Sequence, residues 1–126
     1  MKICIDIDGT ICALRQPGET YADVKPLPGA VEKMQALKTA GHYLILTTAR
    51  HMATCQANVG LVVARQGRTL FEWLAAHGIP YDELWFGKPH ADIYIDDNAT
   101  KGGAQYGVWI EGTTTDVRAR RSNGGL

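Results

Sequence analysis

Asp6 and Asp8 stand two positions apart where a short apolar run, Ile3-Cys4-Ile5, gives out. Side chains alternate along a strand, so residues i and i+2 share a face. The spacing aims both carboxylates into one small volume. Two like charges held close are costly unless a cation lies between them or one is protonated. Gly9 lets the backbone turn sharply beside the acids and opens room there, and Thr10 adds a hydroxyl.

Other polar residues fall in matching places. Thr47, Thr48, Ala49 and Arg50 close the apolar run that starts at Tyr43, and Lys88 follows Leu84-Trp85-Phe86. Asp96 and Asp97 follow Ile93-Tyr94-Ile95. In an open α/β sheet, ligands bind outside the carboxyl ends of the strands, so these clusters are expected to meet at one edge. Gathered carboxylates suit a hard divalent cation, most simply Mg²⁺, which takes oxygen ligands and keeps several waters. A lysine and a hydroxyl beside it suit a phosphate. A carboxylate can attack phosphorus to form an aspartyl-phosphate once the phosphate charge is neutralised.

The elements that must position these groups are legible from pattern. Residues 2–7 read as a strand covered on both faces. Residues 11–28 hold Pro17, Gly18, Pro26 and Pro28 and read as a loop with room for a small hairpin or turn. Val31, Met34 and Leu37 give residues 29–40 a helical period ending at Gly41. Residues 43–48 read as a buried strand. Residues 51–65 read as loop, and a helix is expected from about 66 to 77, with Leu70, Phe71 and Leu74 inward and Gly78 and Pro80 as its stop. Residues 84–86, 93–95 and 106–110 read as further strands. The expected fold is a three-layer, Rossmann-like, mostly parallel five-stranded sheet with helices on both faces. It forms a single domain over 1–112 with a polar tail over 113–126.

The totals exclude several classes. The 126 residues suffice for one core, and 45% hydrophobic with 21% charged content is ordinary for a soluble domain. Thirteen basic residues balance thirteen acidic ones, so no global charge draws the chain to nucleic acid or an anionic membrane. No apolar run approaches the roughly 20 residues a bilayer requires, and no secretory signal pattern opens the chain. A cytoplasmic location is the expectation. Cys4, Cys12 and Cys55, odd in number and without pair spacing, are expected as thiols, Cys4 in a buried strand. His51 and His90 show no metal-type spacing.

Taken together, Asp6-Ile7-Asp8-Gly9-Thr10, Thr48, Lys88-Pro89 and Asp96-Asp97 resemble, in order and strand placement, the four motifs of the haloacid dehalogenase-like (HAD) phosphohydrolase superfamily. The resemblance implies that Asp6 is the nucleophile and Asp8 the acid/base, with the Asp8 backbone carbonyl on Mg²⁺. Gly9, Thr10, Thr48, Ala49, Arg50 and Lys88 would surround the phosphoryl group or substrate. Asp97 would bind the metal directly, with Asp96 behind it or bound through water. Lys88 lies only eight positions before Asp96, where many relatives place a helix, so it is expected on a loop, with Lys101 as the alternative. Neither residues 11–28 nor 88–92 can hold a cap domain, which leaves a large substrate or a neighbouring subunit in a homo-oligomer to cover the site.

Within the superfamily, residues 46–50, 58–60, 79–83 and 87–89 resemble small phosphatases of capsular-polysaccharide biosynthesis, implying a sugar phosphate as substrate. Two alternatives stay open. One is a phosphatase on nucleotides or nucleic-acid ends, against which the zero net charge counts. The other is a non-catalytic phosphoacceptor signalling domain, against which the order of Lys88 before the last acidic pair counts.

Overall fold

The computed structural model describes residues 1–98, and the chain divides into two units, Met1–His90 and Ala91–Leu126. In the first unit the order is β1 (Lys2–Asp6), α1 (Ala30–Thr39), β2 (Tyr43–Thr48), α2 (Val59–Ala76) and β3 (Glu83–Phe86). The strands form a parallel sheet in the order β1-β2-β3. This is a small α/β fold with a parallel sheet, compatible with a Rossmann-like arrangement. The register pairs Asp6 with Thr47 and Thr48 with Phe86. The backbone N–H groups of Ile7 and Lys88 carry the pattern past the strand ends, to Thr47 and Thr48 carbonyls. All three strands thus finish at one edge.

Both helices bury residues in one cluster with Ile7, Leu44 and Leu46: Met34 from α1, and Leu70, Trp73 and Leu74 from α2. Helices on both faces were expected. Two right-handed crossovers that step the same way along a sheet put both helices on one side, and among the described residues the other face carries none. Cys4, expected to be buried, is therefore exposed. With Ile45, Thr47, Glu83 and Trp85 it lines a shallow open hollow. None of the three cysteines is in a disulfide.

The largest departure from the sequence reading is the start of α2. It begins at Val59, not near residue 66, because Asn58 caps it by accepting the Leu61 N–H at 3.1 Å. Of the apolar run that follows, only Val62 is buried; Leu61 and Val63 stay exposed, which is why no period showed. Phe71, expected inward, is 47% exposed and meets Phe86 edge-on. The inward face is Leu70, Trp73 and Leu74. At the far end, Gly78 takes a φ of 67°, the Ile79 N–H reaches the Leu74 carbonyl, and Ile79 drops into the core. Gly41 and His42 close α1 with the same pair of bonds, to Lys38 and Leu37.

Residues 11–28 do hold a small hairpin. Ala13 N–H bonds Lys25 O, Leu27 N–H bonds Ile11 O, and Cys12 bridges Pro26. Trp73 Nε1 donates to Val24 O at 2.8 Å, tying this segment to α2. Residues 93–95, expected as a fourth strand, form none, and Tyr94 and Ile95 are exposed. The expected strand at 106–110, the tail over 113–126 and Lys101 lie outside the described residues. No described helix is long and apolar enough to cross a membrane.

Two measurements check this packing. Leu74→Ala should cost about 3 kcal/mol in urea unfolding, and Phe71→Ala only about 1 kcal/mol. Asp82 accepts from Lys38 Nζ and from the Leu44 N–H, joining α1, β2 and the approach to β3. The lysine first, then the N–H, hold its carboxyl below the ordinary value. A carboxyl lowered in the fold stabilises above its unfolded value and loses that as pH falls through the folded one. Asp82→Asn should therefore flatten the acid limb of the stability–pH curve, with no change in that limb counting against this tie.

Candidate active site

The site is assembled at the carboxyl edge from β1, β2 and the loop after β3. Ile7 is fully buried in the core, and Asp6 and Asp8 on either side of it in sequence are half-buried. Gly9, at φ 86°, turns the chain there. The Ile7 carbonyl accepts from the N–H groups of Thr10, Ile11 and Cys12, which pins the turn.

The two carboxylates take different cations. Lys88, on the loop after β3, places Nζ 3.2 Å from Asp6 Oδ1, and Thr10 Oγ1 lies 3.4 Å from Asp6 Oδ2. Burial still raises the Asp6 carboxyl above its ordinary value against the pull of Lys88, and the nearby Asp8 charge adds to the rise. Asp8 is held by Arg50. The guanidinium Nε lies 3.0 Å from both carboxylate oxygens, and Nη2 lies 3.0 Å from Oδ1.

Arg50, 4% exposed, is thus turned inward onto Asp8. Thr48, fully buried, donates its hydroxyl to Asp8 Oδ2 at 3.2 Å and accepts the Arg50 N–H at 3.0 Å. Ala49 lies in the turn between them, where its carbonyl accepts the Met52 N–H.

Two residues that sequence reasoning left out complete the cluster. Cys12 Sγ lies 3.5 Å from Asp8 Oδ1, and burial followed by that charge pushes its thiol up to about 11. A thiol so raised is a poor nucleophile. Tyr21 lays its ring 4.2 Å from the Arg50 Cζ and meets His51 edge-on at 5.2 Å. Nothing in the spacing of residues 11–28 marks it. His51 sits at φ 59°, with Nε2 buried and unbonded. Burial first, then Arg15 and Arg50, lowers its pKa.

Asp96 and Asp97 belong to the second unit and are exposed. Asp96 Oδ1 accepts the Asn98 N–H at 2.9 Å, which lowers its carboxyl. Among the described residues, no three His, Cys, Asp or Glu side chains gather as a metal cluster. What the first unit offers a hard cation is the chemistry of its donors. Asp6 is a desolvated carboxylate whose charge is only partly offset by one lysine, beside a second carboxylate. Such a group gains from a further positive charge, so the donor set fits Mg²⁺.

No family model matches the chain, and no curated protein matches it. Among solved structures, a crystal structure of an MCSG target from Vibrio cholerae is 34% identical, with a TM-score of 0.73 over 80% of this chain and 83% of that one. The chain belongs to the same family as that Vibrio cholerae protein. The likeness carries fold and family; that relative brings no named activity with it.

Arg50→Ala would leave the Asp8 charge part-buried without its main partner and should cost about 3 kcal/mol. Arg50→Lys should recover less than half of it, because an ammonium has neither the planar fork nor a face for Tyr21. Urea midpoints measured at constant m-value check both.

Proposed function

We propose that the protein is a Mg²⁺-dependent phosphomonoester hydrolase of the haloacid dehalogenase-like type, working through an aspartyl-phosphate on Asp6. The observation that carries this reading is the division of cations at one strand end. Lys88 attends Asp6, the carboxylate at the mouth, while Arg50 and Thr48 hold Asp8 behind it. Two carboxylates in different surroundings can take different parts in one reaction.

In this reading an Asp6 oxygen attacks phosphorus as the bond to the leaving oxygen breaks, and Asp8 gives that oxygen a proton. Asp8 then takes a proton from the water that attacks phosphorus. The bond to Asp6 breaks, inorganic phosphate leaves, and the carboxylate is restored. Lys88, within reach of Asp6, offsets the charge of the incoming phosphoryl group. The Asp6 carboxylate and the Asp8 backbone carbonyl would hold Mg²⁺, and the resemblance names Asp97 and Asp96 as its further ligands. When bound, the metal supplies charge neutralisation that lets an anion approach a phosphate dianion.

The sugar-phosphate class, a sheet extended beyond the three described strands, the cytoplasmic setting and a homo-oligomer over a capless site belong to the same proposal. The substrate class rests on the resemblance to capsule-biosynthesis phosphatases. Asp6→Asn should lower turnover of a generic phosphate ester by roughly a thousandfold or more with the circular dichroism unchanged. Chelation should silence the wild type, and Mg²⁺ should restore it. Near-normal turnover by the folded Asn variant would remove Asp6 as nucleophile.

A further inference from the structure

We propose that Tyr21 is a positioning residue for the Asp8 carboxylate, acting through Arg50. The inference rests on the phosphohydrolase reading for its effect on turnover, but its geometry stands apart from it. A guanidinium donates only in its plane; its faces make no hydrogen bonds. The in-plane donors of Arg50 go to Asp8 at 3.0 Å, with Nη2 also 3.8 Å from Cys12 Sγ. Those bonds leave one motion open, a tilt of the plane. The Arg50 Cζ sits over the Tyr21 ring, 4.2 Å from its centroid, so that contact opposes the tilt.

The ring is itself held. The two sides of the segment that carries it are fastened to each other, Ala13 to Lys25 and Leu27 to Ile11. On its C-terminal side Val24, 1% exposed, is bonded through its carbonyl to Trp73 of α2. The edge-on contact with His51 fixes the ring against the residue that follows Arg50. From the exposed side Arg15 stands over the same ring at 5.2 Å, its Nη1 on the Glu19 carbonyl. Tyr21 thereby bears on Asp8 without touching it, through one buried guanidinium.

The test compares wild type with Tyr21→Leu, Tyr21→Gln and Tyr21→Phe, each checked for fold by circular dichroism. With an aryl phosphate and Mg²⁺, loss of the ring should lower kcat about tenfold while KM stays within about twofold. Tyr21→Phe, which keeps the ring, should restore kcat. In metal-free protein the Arg50 Nε–H resonance should be sharp in wild type and Tyr21→Phe, and broadened in Tyr21→Leu and Tyr21→Gln.

Unchanged kcat with an unchanged Nε–H resonance in the ring-free variants overturns the proposal. So does a Phe variant as impaired as Leu, or a change confined to KM, which would make Tyr21 a substrate contact. If wild type hydrolyses no ester, the phosphohydrolase reading fails, and the Nε–H comparison alone decides whether Tyr21 positions Asp8.

Discussion

Two carboxylates separated by one residue repel, and the fold answers by giving each its own cation. Lys88 reaches Asp6 from the loop after β3, and Arg50 reaches Asp8 from the turn after β2. Neither cation is near the acids in sequence. The parallel register brings them there, because it ends β1, β2 and β3 at a common edge. A register slip of one residue would turn Ile7 outward and bury an acid in its place.

The same edge is braced from behind. Trp73 holds the carbonyl of Val24, the hairpin over 11–28 closes on Ile11, Cys12 and Ala13, and Tyr21 is left against Arg50. An interior helix residue, a loop aromatic and a buried arginine thus bear on one carboxylate. Stiffness beside the two acids comes from such local ties. Burial keeps water from Asp6 as well, and its carboxyl stays above its ordinary value despite a lysine in contact.

The three strands of the first unit were legible as short apolar runs, and the first helix by its period: Met34 is buried where the helical spacing put it. Asp6, Asp8, Thr48 and Lys88 were legible as a group because each closes an apolar run. The first turns of α2 were not, since Val59, Leu61 and Val63 face outward and mask the one inward position, Val62. The inward turn of Arg50 was equally hidden: spacing placed it at the strand end but could not say whether it faced a substrate or Asp8. Tyr21 owes its place to tertiary ties alone. The face of the sheet bearing Cys4 and Trp85 read as covered because apolar strand residues carry no sign of which side a helix will take.

The central claim is that Asp6 becomes covalently phosphorylated, and acid-quenched turnover tests it most directly. Wild-type protein is mixed with an aryl phosphate and Mg²⁺, quenched in milliseconds, and reduced with borohydride, which converts an acyl phosphate to the alcohol. Phosphorylation of Asp6 predicts homoserine at position 6 in the peptide mass spectrum, absent when substrate is omitted. A burst of released aryl alcohol with position 6 still aspartate, or with the reduced residue elsewhere, would contradict it.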